Sequence, residues 1–293
     1  MAIAAPSPAI TDVAPRPGAL RRAGDVWRYR ELLGNLVRKE LKVKYKNSAL
    51  GFAWSLLNPA LYLVVFYVVF ELILQNGIPD FAIFLLAGLL PWTLFSSSVA
   101  AATSSIVGNS ALVNKVWFPR EILPLAAIGA AFVNYLLQTV VLAAALVVFR
   151  YAPSAEYALV LVPALVALLV LLGAMALALA AVNVYFRDTQ HLVELLLLAW
   201  FWFTPIIYPY RYVSDRLEGW TALFLLNPMV SIVIAFQRAI YNRTSEDGTQ
   251  ILPDESVLWY TRNVGIVLVG ACALLWFAFW LFGRLEDDFA EEL

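Results

Sequence analysis

Residues 26–46 read VWRYRELLGNLVRKELKVKYK, and residues 52–74 read FAWSLLNPALYLVVFYVVFELIL. The first stretch mixes apolar residues at helical spacing with seven cations, and basic amphipathic helices of this kind lie flat on anionic membrane surfaces. The second stretch is apolar for about 20 residues, the length that crosses a bilayer. Their order predicts an interfacial helix over 26–47 that leads into membrane spans. The apolar positions are Leu32, Leu33, Leu36, Val37 and Leu41, and the cations are Arg28, Arg30, Arg38, Lys39, Lys42, Lys44 and Lys46.

The composition of the whole chain agrees with a membrane protein. Its 293 residues are 62% hydrophobic and 14% charged, whereas soluble domains are about 45–50% apolar and about 25% charged. One cysteine, Cys272, excludes a disulfide within the chain. Residues 1–25 are rich in Ala, Pro and Arg without a central apolar stretch, which predicts a disordered tail rather than a removable signal peptide. Residues 284–293 form an acidic tail.

Six apolar runs are predicted to span the membrane, within a membrane domain over 48–283. Each run holds roughly 17–28 residues, as a helix with some tilt requires. The sequence therefore predicts an all-α, polytopic fold with an interface helix at its N-terminal end. The predicted spans are Phe52–Leu74, Phe81–Val107, Ile122–Phe149, Ala158–Val184, Leu192–Tyr208 and Val264–Phe282.

A seventh apolar stretch, at 220–240, is interrupted by Asn227-Pro228. Each half is too short to span the membrane. Proline interrupts the helix that precedes it, because it lacks a backbone N–H and its ring clashes with the preceding turn. Two short helices that meet at this corner suit a re-entrant hairpin, although a single kinked span is the alternative because membrane helices tolerate proline.

With six spans, most of the basic residues fall on one side of the membrane. That side receives the interface helix together with Lys115, Arg120, Arg187 and Arg284. Because cytoplasmic loops carry the excess of Lys and Arg, both termini are predicted to be cytoplasmic. The interface helix is then either a contact for anionic lipid or a partner, or a plain orientation signal.

Two predicted cytoplasmic loops carry candidate contact residues. Residues 109–121 read NSALVNKVWFPRE, with Trp117 and Phe118 expected to be exposed beside charges, and Arg187-Asp188 forms the other loop. Aromatic side chains and Arg are enriched where proteins dock, but interfacial aromatics also anchor membrane proteins. A docking role and an anchoring role therefore both remain open.

Inside the predicted spans, rings recur and ionisable residues are few. Tyr62, Phe66 and Phe70 recur every four residues, and Trp200 and Phe203 crowd the fifth span. Such rings either line a path for sugars or serve ordinary packing. Polar residues of the third span, Asn134, Gln138 and Thr139, are expected to hydrogen-bond to neighbouring helices.

Signals for catalysis are missing from the sequence. No G-x-x-x-x-G-K-[ST] motif is present, and a single histidine cannot supply a multi-histidine metal site. We therefore predict no catalytic residue, no metal site and no cofactor in this chain. An energy source would have to come from a partner.

Three motifs together resemble the permease subunits of bacterial ABC exporters of polysaccharides, a family that includes Wzm-like O-antigen permeases, teichoic-acid permeases and galactan exporters. They are Lys42–Pro59 (KVKYKNSALGFAWSLLNP), Val116–Pro124 (VWFPREILP) and Asn183–Tyr208 (NVYFRDTQHLVELLLLAWFWFTPIIY). Asn227-Pro228 followed by an amphipathic helix also fits the extracytoplasmic re-entrant segment of that family. The resemblance covers about residues 28–283.

The resemblance implies a type-2 exporter architecture and a set of partners. Two copies of the permease would bracket the path of a polyprenyl-pyrophosphate-linked glycan, and two soluble ATPase subunits would hold ATP and Mg. The bacterial cytoplasmic membrane is the implied location, and nucleic acid is not an expected partner. The implied ATPase-coupling residues are Lys115, Trp117, Phe118, Arg120, Glu121, Arg187 and Asp188, and the implied glycan-path rings are Tyr62, Phe66, Phe70, Trp200 and Phe203.

Electrostatics adds a candidate site for the lipid head group. A pyrophosphate at the inner leaflet would be attracted by cations, at about 1 kcal/mol for each one near an anionic surface. The alternatives are a permease for a drug or a small lipid, and a membrane-embedded transferase. The candidate head-group cations are Arg28, Arg38, Lys42, Lys44 and Lys46.

Overall fold

A computed structural model describes residues 19–46, 48, 51, 53–74, 77–216, 221–242 and 251–293. These residues form helices and connecting turns, with no strand among them. The helices are α1 (Ala19–Arg28), α2 (Arg30–Lys44), α3 (Ala53–Phe66), α4 (Phe81–Thr103), α5 (Ser110–Val113), α6 (Ile122–Val148), α7 (Leu161–Tyr185), α8 (Thr189–Trp202), α9 (Arg211–Ser214), α10 (Thr221–Leu225), α11 (Pro228–Ile240), α12 (Val257–Leu285) and α13 (Phe289–Glu292).

Five helical segments of the described residues are long and apolar enough to cross a membrane. A π-helix over Tyr67–Ile73 extends α3, and a 3₁₀ turn over Tyr157–Val160 precedes α7. The spans predicted to begin at Phe52, Phe81, Ile122, Ala158 and Val264 each coincide with one of these segments. The segments are Ala53–Ile73, Phe81–Thr103, Ile122–Val148, Tyr157–Tyr185 and Val257–Asp288.

The predicted fifth span, Leu192–Tyr208, is shorter in the structure. Its helix, α8, has 14 residues and ends at Trp202, so it reaches about 21 Å where a span needs about 30 Å. Thr204, Pro205 and Ile206 follow it as buried, non-helical chain. The sixth crossing of the membrane therefore stays a prediction.

The seventh apolar stretch consists of two short helices, α10 and α11, which meet at Asn227-Pro228. Pro228 occupies the first turn of α11, where a missing N–H costs nothing, and the Asn227 side chain accepts the Met229 N–H as a cap. The predicted pair of helices is confirmed, and its re-entrant position in the membrane stays a prediction.

The core lies around α4, with α7 and α11 packed against it. Nearly every side chain of α11 is buried, and the spanning window of α4 is 78% buried. The helices α6 and α12 each contribute one face to this core and expose apolar side chains on the other, such as Val140 on α6 and Val269 on α12, while most of α3 is exposed. Exposed apolar faces on long helices suit contact with lipid.

The N-terminal end of the chain differs from the sequence prediction. Residues 1–18 of the predicted tail lie outside the described residues, but Ala19 to Asp25 belong to α1, so the tail was drawn too long. The prediction failed because α1 is held by a tertiary contact that composition does not reveal: Arg22 is buried between Glu121 and Glu286. The acidic tail is also packed, since Phe289 is fully buried.

Candidate functional site

A polar groove of about 870 Å³ runs between α2, α4, α6 and α8. Three of these helices, α4, α6 and α8, are otherwise strongly apolar, and polar side chains within membrane helices usually serve a function. Lys39, Glu40 and Lys44 of α2 lie at one side of it, and Glu194 of α8 lies at another. The remaining polar and small lining residues include Thr93, Ser96, Ser97 and Ala101 of α4, Ser104 directly after it, and Ala130, Asn134 and Gln138 of α6.

The hydroxyl groups on the α4 side of the groove donate their hydrogens to protein groups and leave their oxygens as acceptors. Thr93 donates to the Leu90 carbonyl at 2.9 Å, and Ser97 donates to the Thr93 carbonyl at 2.5 Å. Ser104 likewise donates to the Ala101 carbonyl. Each hydroxyl hydrogen is thus used within the protein, that of Thr93 being shared between the Leu90 carbonyl and Gln138 Oε1, while each oxygen keeps lone pairs that can accept a further hydrogen bond. A wall of this kind suits a ligand rich in O–H donors.

Hydrogen bonds fix α2 as one wall of the groove. The Lys39 ammonium donates to Asn109 Oδ1 at 2.6 Å. At the end of α2, the Tyr45 hydroxyl donates to Asn134 Oδ1 at 2.6 Å and also contacts the Ser55 hydroxyl. Val37 lies against Gly129 of α6, where a Cβ atom would approach Val37 Cγ2 to 2.6 Å. The interface helix is therefore packed on α6, and its contact with a membrane surface stays a prediction.

The sequence indicated single polar residues of this groove but not that they lie together. The expectation that Asn134 and Gln138 bond to neighbouring helices is confirmed, since Gln138 Oε1 accepts from Thr93 at 3.2 Å. Thr139 instead donates to the Tyr135 carbonyl of its own helix. A run of three serines, Ser96, Ser97 and Ser98, lies within the second predicted span. Its helical spacing with Thr93 and Ala100 was the available signal for a polar face.

The predicted glycan-path rings do not line this groove. Tyr62, Phe66 and Phe70 form a row on α3, with ring centroids 6.1 and 5.6 Å apart, and the row continues to Phe81 at 4.7 Å. Tyr62 is 43% exposed, whereas Phe66 and Phe70 are half-buried and pack against the core. One row of rings thus exists as predicted, and its role stays a prediction.

Trp200 and Phe203 lie apart from that row, in a second groove of about 770 Å³ between α8 and α10. Its lining is almost wholly apolar, with Met175, Leu179 and Leu223 among the contributing residues. The ring of Phe203 is 68% exposed. The structure therefore divides the five predicted rings between two places.

Trp200 is held by the corner where α8 and α11 meet. Its indole N–H donates to Asn227 Oδ1 at 2.8 Å, and Asn227 Nδ2 donates to the Phe203 carbonyl at 3.1 Å. Gln237 Nε2 donates to the carbonyls of Pro205 and Ile206 at 3.2 and 3.4 Å. Backbone carbonyls of a buried break need such partners. The sequence indicated Asn227 only as part of the break, and Gln237 was missed because nothing local distinguishes it from other helical residues.

The loop over 113–121 presents one ring and buries the next. Trp117 is 84% exposed, as predicted, whereas Phe118 is only 5% exposed. The expectation that Phe118 is exposed is therefore wrong. Phe118 packs into a cluster with Leu36, Val113 and Ile122, because the turn before Pro119 directs successive side chains to opposite sides. Lys115 is exposed, so Lys115 and Trp117 form the free face of the loop.

At the end of this loop the predicted coupling residues are engaged within the chain. Arg120 donates to the Glu286 carbonyl, and Glu121 is buried, with Oε1 2.8 Å from Arg22 Nη1. Burial raises the pKa of the Glu121 carboxyl, the Glu286 charge raises it further, and Arg22 opposes the rise. Burial alone would lower the pKa of Arg22, but the bonds to and charges of both carboxylates outweigh it and raise that pKa.

The other predicted contact residues are exposed at the same end of the bundle. Arg187 and Asp188 lie in the turn between α7 and α8, and Arg187 donates to the Glu292 carbonyl at 3.4 Å. Among the described residues no group of three or more His, Cys, Asp or Glu side chains is placed to hold a metal ion. The five candidate head-group cations are all exposed on α1, α2 and the turn after it: Arg28, Arg38, Lys42, Lys44 and Lys46.

Comparison with known proteins gives matches over most of the chain. A family model described as ABC-2 type transporter matches residues 31–241. The O-antigen export system permease protein RfbA of Myxococcus xanthus is 35% identical over 274 residues, which are 94% of this chain and 100% of the relative. A protein of the same name from Klebsiella pneumoniae is 28% identical over 264 residues, covering 90% and 95%. The polysialic acid transport protein KpsM of Escherichia coli is 26% identical over 225 residues, covering 74% and 83%.

Proposed function

Because this chain belongs to the ABC-2 type transporter family, we propose that it is the permease subunit of an ABC exporter that moves a polysaccharide out of the bacterial cytoplasm. The names of its relatives support this cargo, since they describe O-antigen export and polysialic acid transport. A drug or small-lipid cargo and a transferase activity are not favoured by these relatives.

The polar groove carries the proposal. A polysaccharide presents many hydroxyl groups, so it needs hydrogen-bond acceptors along its path through the membrane. Thr93, Ser97 and Ser104 supply acceptor oxygens, and small residues such as Ala101 and Ala130 leave room beside them. The volume of about 870 Å³ lies within the usual range of about 300–1,000 Å³ for binding sites of drug-sized ligands. We assign the groove as the place where sugar units are held during export.

Partners follow from the same proposal. Two copies of the permease would face each other, with two soluble ATPase subunits docked at the end of the bundle that carries Lys115 and Trp117. That end would lie on the cytoplasmic side of the inner membrane. The exposed candidate cations would attract the pyrophosphate of a polyprenyl-linked glycan, and they are Arg28, Arg38, Lys42, Lys44 and Lys46. ATP and Mg would be bound by the partner, and their hydrolysis would drive the export.

The test fills the groove without disturbing the core. In S97L a larger apolar side chain replaces a groove hydroxyl, and in A144L the same side chain is added at an exposed position on α6. Both variants are assembled with the ATPase subunit in vesicles. The cargo is lipid-linked polysaccharide obtained from the producing strain, and its export is measured together with ATP hydrolysis. We expect export by S97L to fall at least tenfold, while A144L behaves as the original protein. Export at the original rate by S97L would remove the groove from the path.

A further inference from the structure

A buried three-residue ion cluster joins distant parts of the chain at the end that carries the 113–121 loop. Arg22 Nη1 lies 2.8 Å from Glu121 Oε1 and 2.6 Å from Glu286 Oε2, and Arg22 Nη2 donates to Glu286 Oε1 at 3.2 Å. The Arg22 and Glu121 side chains are 6% and 3% exposed, and that of Glu286 is 26% exposed. One guanidinium thus holds one carboxylate through a fork and a second through a single bond.

The two carboxylates of the cluster lie at the ends of two long helices, α6 and α12. Glu121 is the last residue before α6, and it ends the loop that exposes Trp117. Glu286 is the first residue after α12. Arg22, from α1, therefore ties the beginning of one long helix to the end of another. Both Arg22 and Glu286 lie outside residues 31–241, which the family model matches.

The surroundings are shaped to keep the guanidinium in place. A Cβ atom at Gly283 would approach the Arg22 guanidinium carbon to 3.0 Å, so the glycine leaves the space that the guanidinium fills. Arg120 donates to the Glu286 carbonyl, and the Tyr185 hydroxyl donates to the neighbouring Leu285 carbonyl at 2.6 Å. The end of α12 is thus held from α1, from the loop and from α7.

Such a cluster is better suited to fixing an arrangement than to adding stability. Removing charges from water costs free energy that the ion pairs only partly return, so buried clusters of this kind are weak evidence for stability. The forked geometry of Arg fixes the direction of a carboxylate in a way that the point charge of Lys does not. The cluster therefore behaves as a joint with a defined orientation.

We propose that Arg22 is a positioning residue for energy coupling, which joins the 113–121 loop to α6 and α12 so that both helices follow a displacement of the loop. The inference rests on the proposed function, in which an ATPase subunit pushes on the exposed face of this loop. Without Arg22 the loop still docks through Lys115 and Trp117, but its movement no longer reaches α12. ATP hydrolysis then continues without export.

The experiment measures the amount of polysaccharide exported per ATP hydrolysed in vesicles that contain the permease and its ATPase subunit. R22Q removes the joint but leaves two buried carboxylates together. E286Q is the companion variant, because it leaves one cation paired with one carboxylate and so leaves no buried charge without a partner. The matched controls are R30Q and E291Q, which change exposed charges near each end of the described chain. The amount of ATPase subunit that co-purifies with each variant reports docking separately.

We expect both R22Q and E286Q to lower the export per ATP at least fivefold, with co-purification of the ATPase subunit unchanged and both controls at the original ratio. If R22Q does not accumulate in the membrane, E286Q decides. A ratio for E286Q equal to that of the original protein would overturn the inference. Failure of the unaltered permease to export polysaccharide with its ATPase would instead count against the proposed function, so the two failures are distinguishable.

Discussion

The indole N–H of Trp200 donates to Asn227 Oδ1 across 2.8 Å, and this bond joins the end of α8 to the beginning of α11. The same amide caps α11 by accepting from the Met229 N–H at 3.0 Å and donates to the Phe203 carbonyl at 3.1 Å. A single side chain therefore satisfies groups on both sides of a buried break. It also occupies the one hydrogen-bond donor of Trp200, so a sugar that meets this ring would meet its face.

Replacing Asn227 by Ala should destabilise the protein by about 2–4 kcal/mol, because a helix cap is lost at about 0.5–2 kcal/mol and buried groups are left without partners at about 1–3 kcal/mol. N227D keeps the acceptor for Trp200 and the cap but loses the amide donor, so its cost should be smaller. Thermal unfolding in detergent, followed by tryptophan fluorescence, measures both. Asn114→Ala, at an exposed position, is the control. Equal stability of N227A and N114A would show that the corner does not depend on this amide.

Gly88 and Gly270 should respond to alanine with opposite signs. A Cβ atom at Gly88 would lie 2.7 Å from Gln237 Nε2 and 3.2 Å from Val233 Cγ1, whereas nothing lies within 4 Å of that position at Gly270. Gln237 is fully buried and cannot move without loosening its bonds to Pro205 and Ile206. We expect the G88A substitution to lower the free energy of unfolding by about 1–3 kcal/mol, because the added methyl group overpacks the core.

The G270A substitution, at an exposed helical position, should instead raise the free energy of unfolding by about 0.5–1 kcal/mol. Unfolding midpoints of both variants, measured side by side, check the difference in sign. Shortening the neighbour in the double variant G88A/Q237A should reduce the incremental cost of G88A, since the two sites are in contact. A midpoint for G88A at or above that of G270A would contradict the packing described around Gly88.

Packing of α2 on α6 predicts an effect at Gly129. Val37 Cγ2 would meet a Cβ atom there at 2.6 Å, and valine is too stiff at χ1 to turn away freely. G129A should therefore push α2 outward and speed hydrogen exchange of the amides over 30–44. V37A/G129A restores the space and should return exchange toward the original rate. Unchanged exchange in G129A would mean that α2 is held by its polar contacts alone.

Neighbouring rings of the 113–121 loop should behave differently. Trp117 is 84% exposed, so W117A should leave the unfolding midpoint unchanged and weaken binding of the proposed ATPase subunit by about 2 kcal/mol, close to 30-fold. Phe118 is 5% exposed in the core, so F118A should cost about 3–5 kcal/mol of stability. Co-purification and unfolding, measured on both variants, separate docking from packing. Normal binding by a correctly folded W117A would remove Trp117 from the docking surface.

Much of the architecture could be predicted from the sequence because apolar run length is a local property. The boundaries of α4 and α6 were placed within four residues of those observed, and the corner at Asn227-Pro228 was recognised from the backbone chemistry of proline. The interface helix predicted over 26–47 is instead divided between α1 and α2, and Lys46 and Phe203 lie in the turns after α2 and α8. The role of each remains a matter for experiment.

The chain by itself determined which segments are helical, where prolines interrupt them and where the positive charge accumulates, since each of these follows from residues close together in sequence. Only the tertiary structure decided that Phe118 is buried while Trp117 is exposed, that Arg22 lies between Glu121 and Glu286, and that the α4 hydroxyls face Asn134 and Gln138 across a groove. The physical reason is the same in each case. Burial and pairing depend on partners up to 264 positions away, and helical periodicity carries no information about which face meets which neighbour.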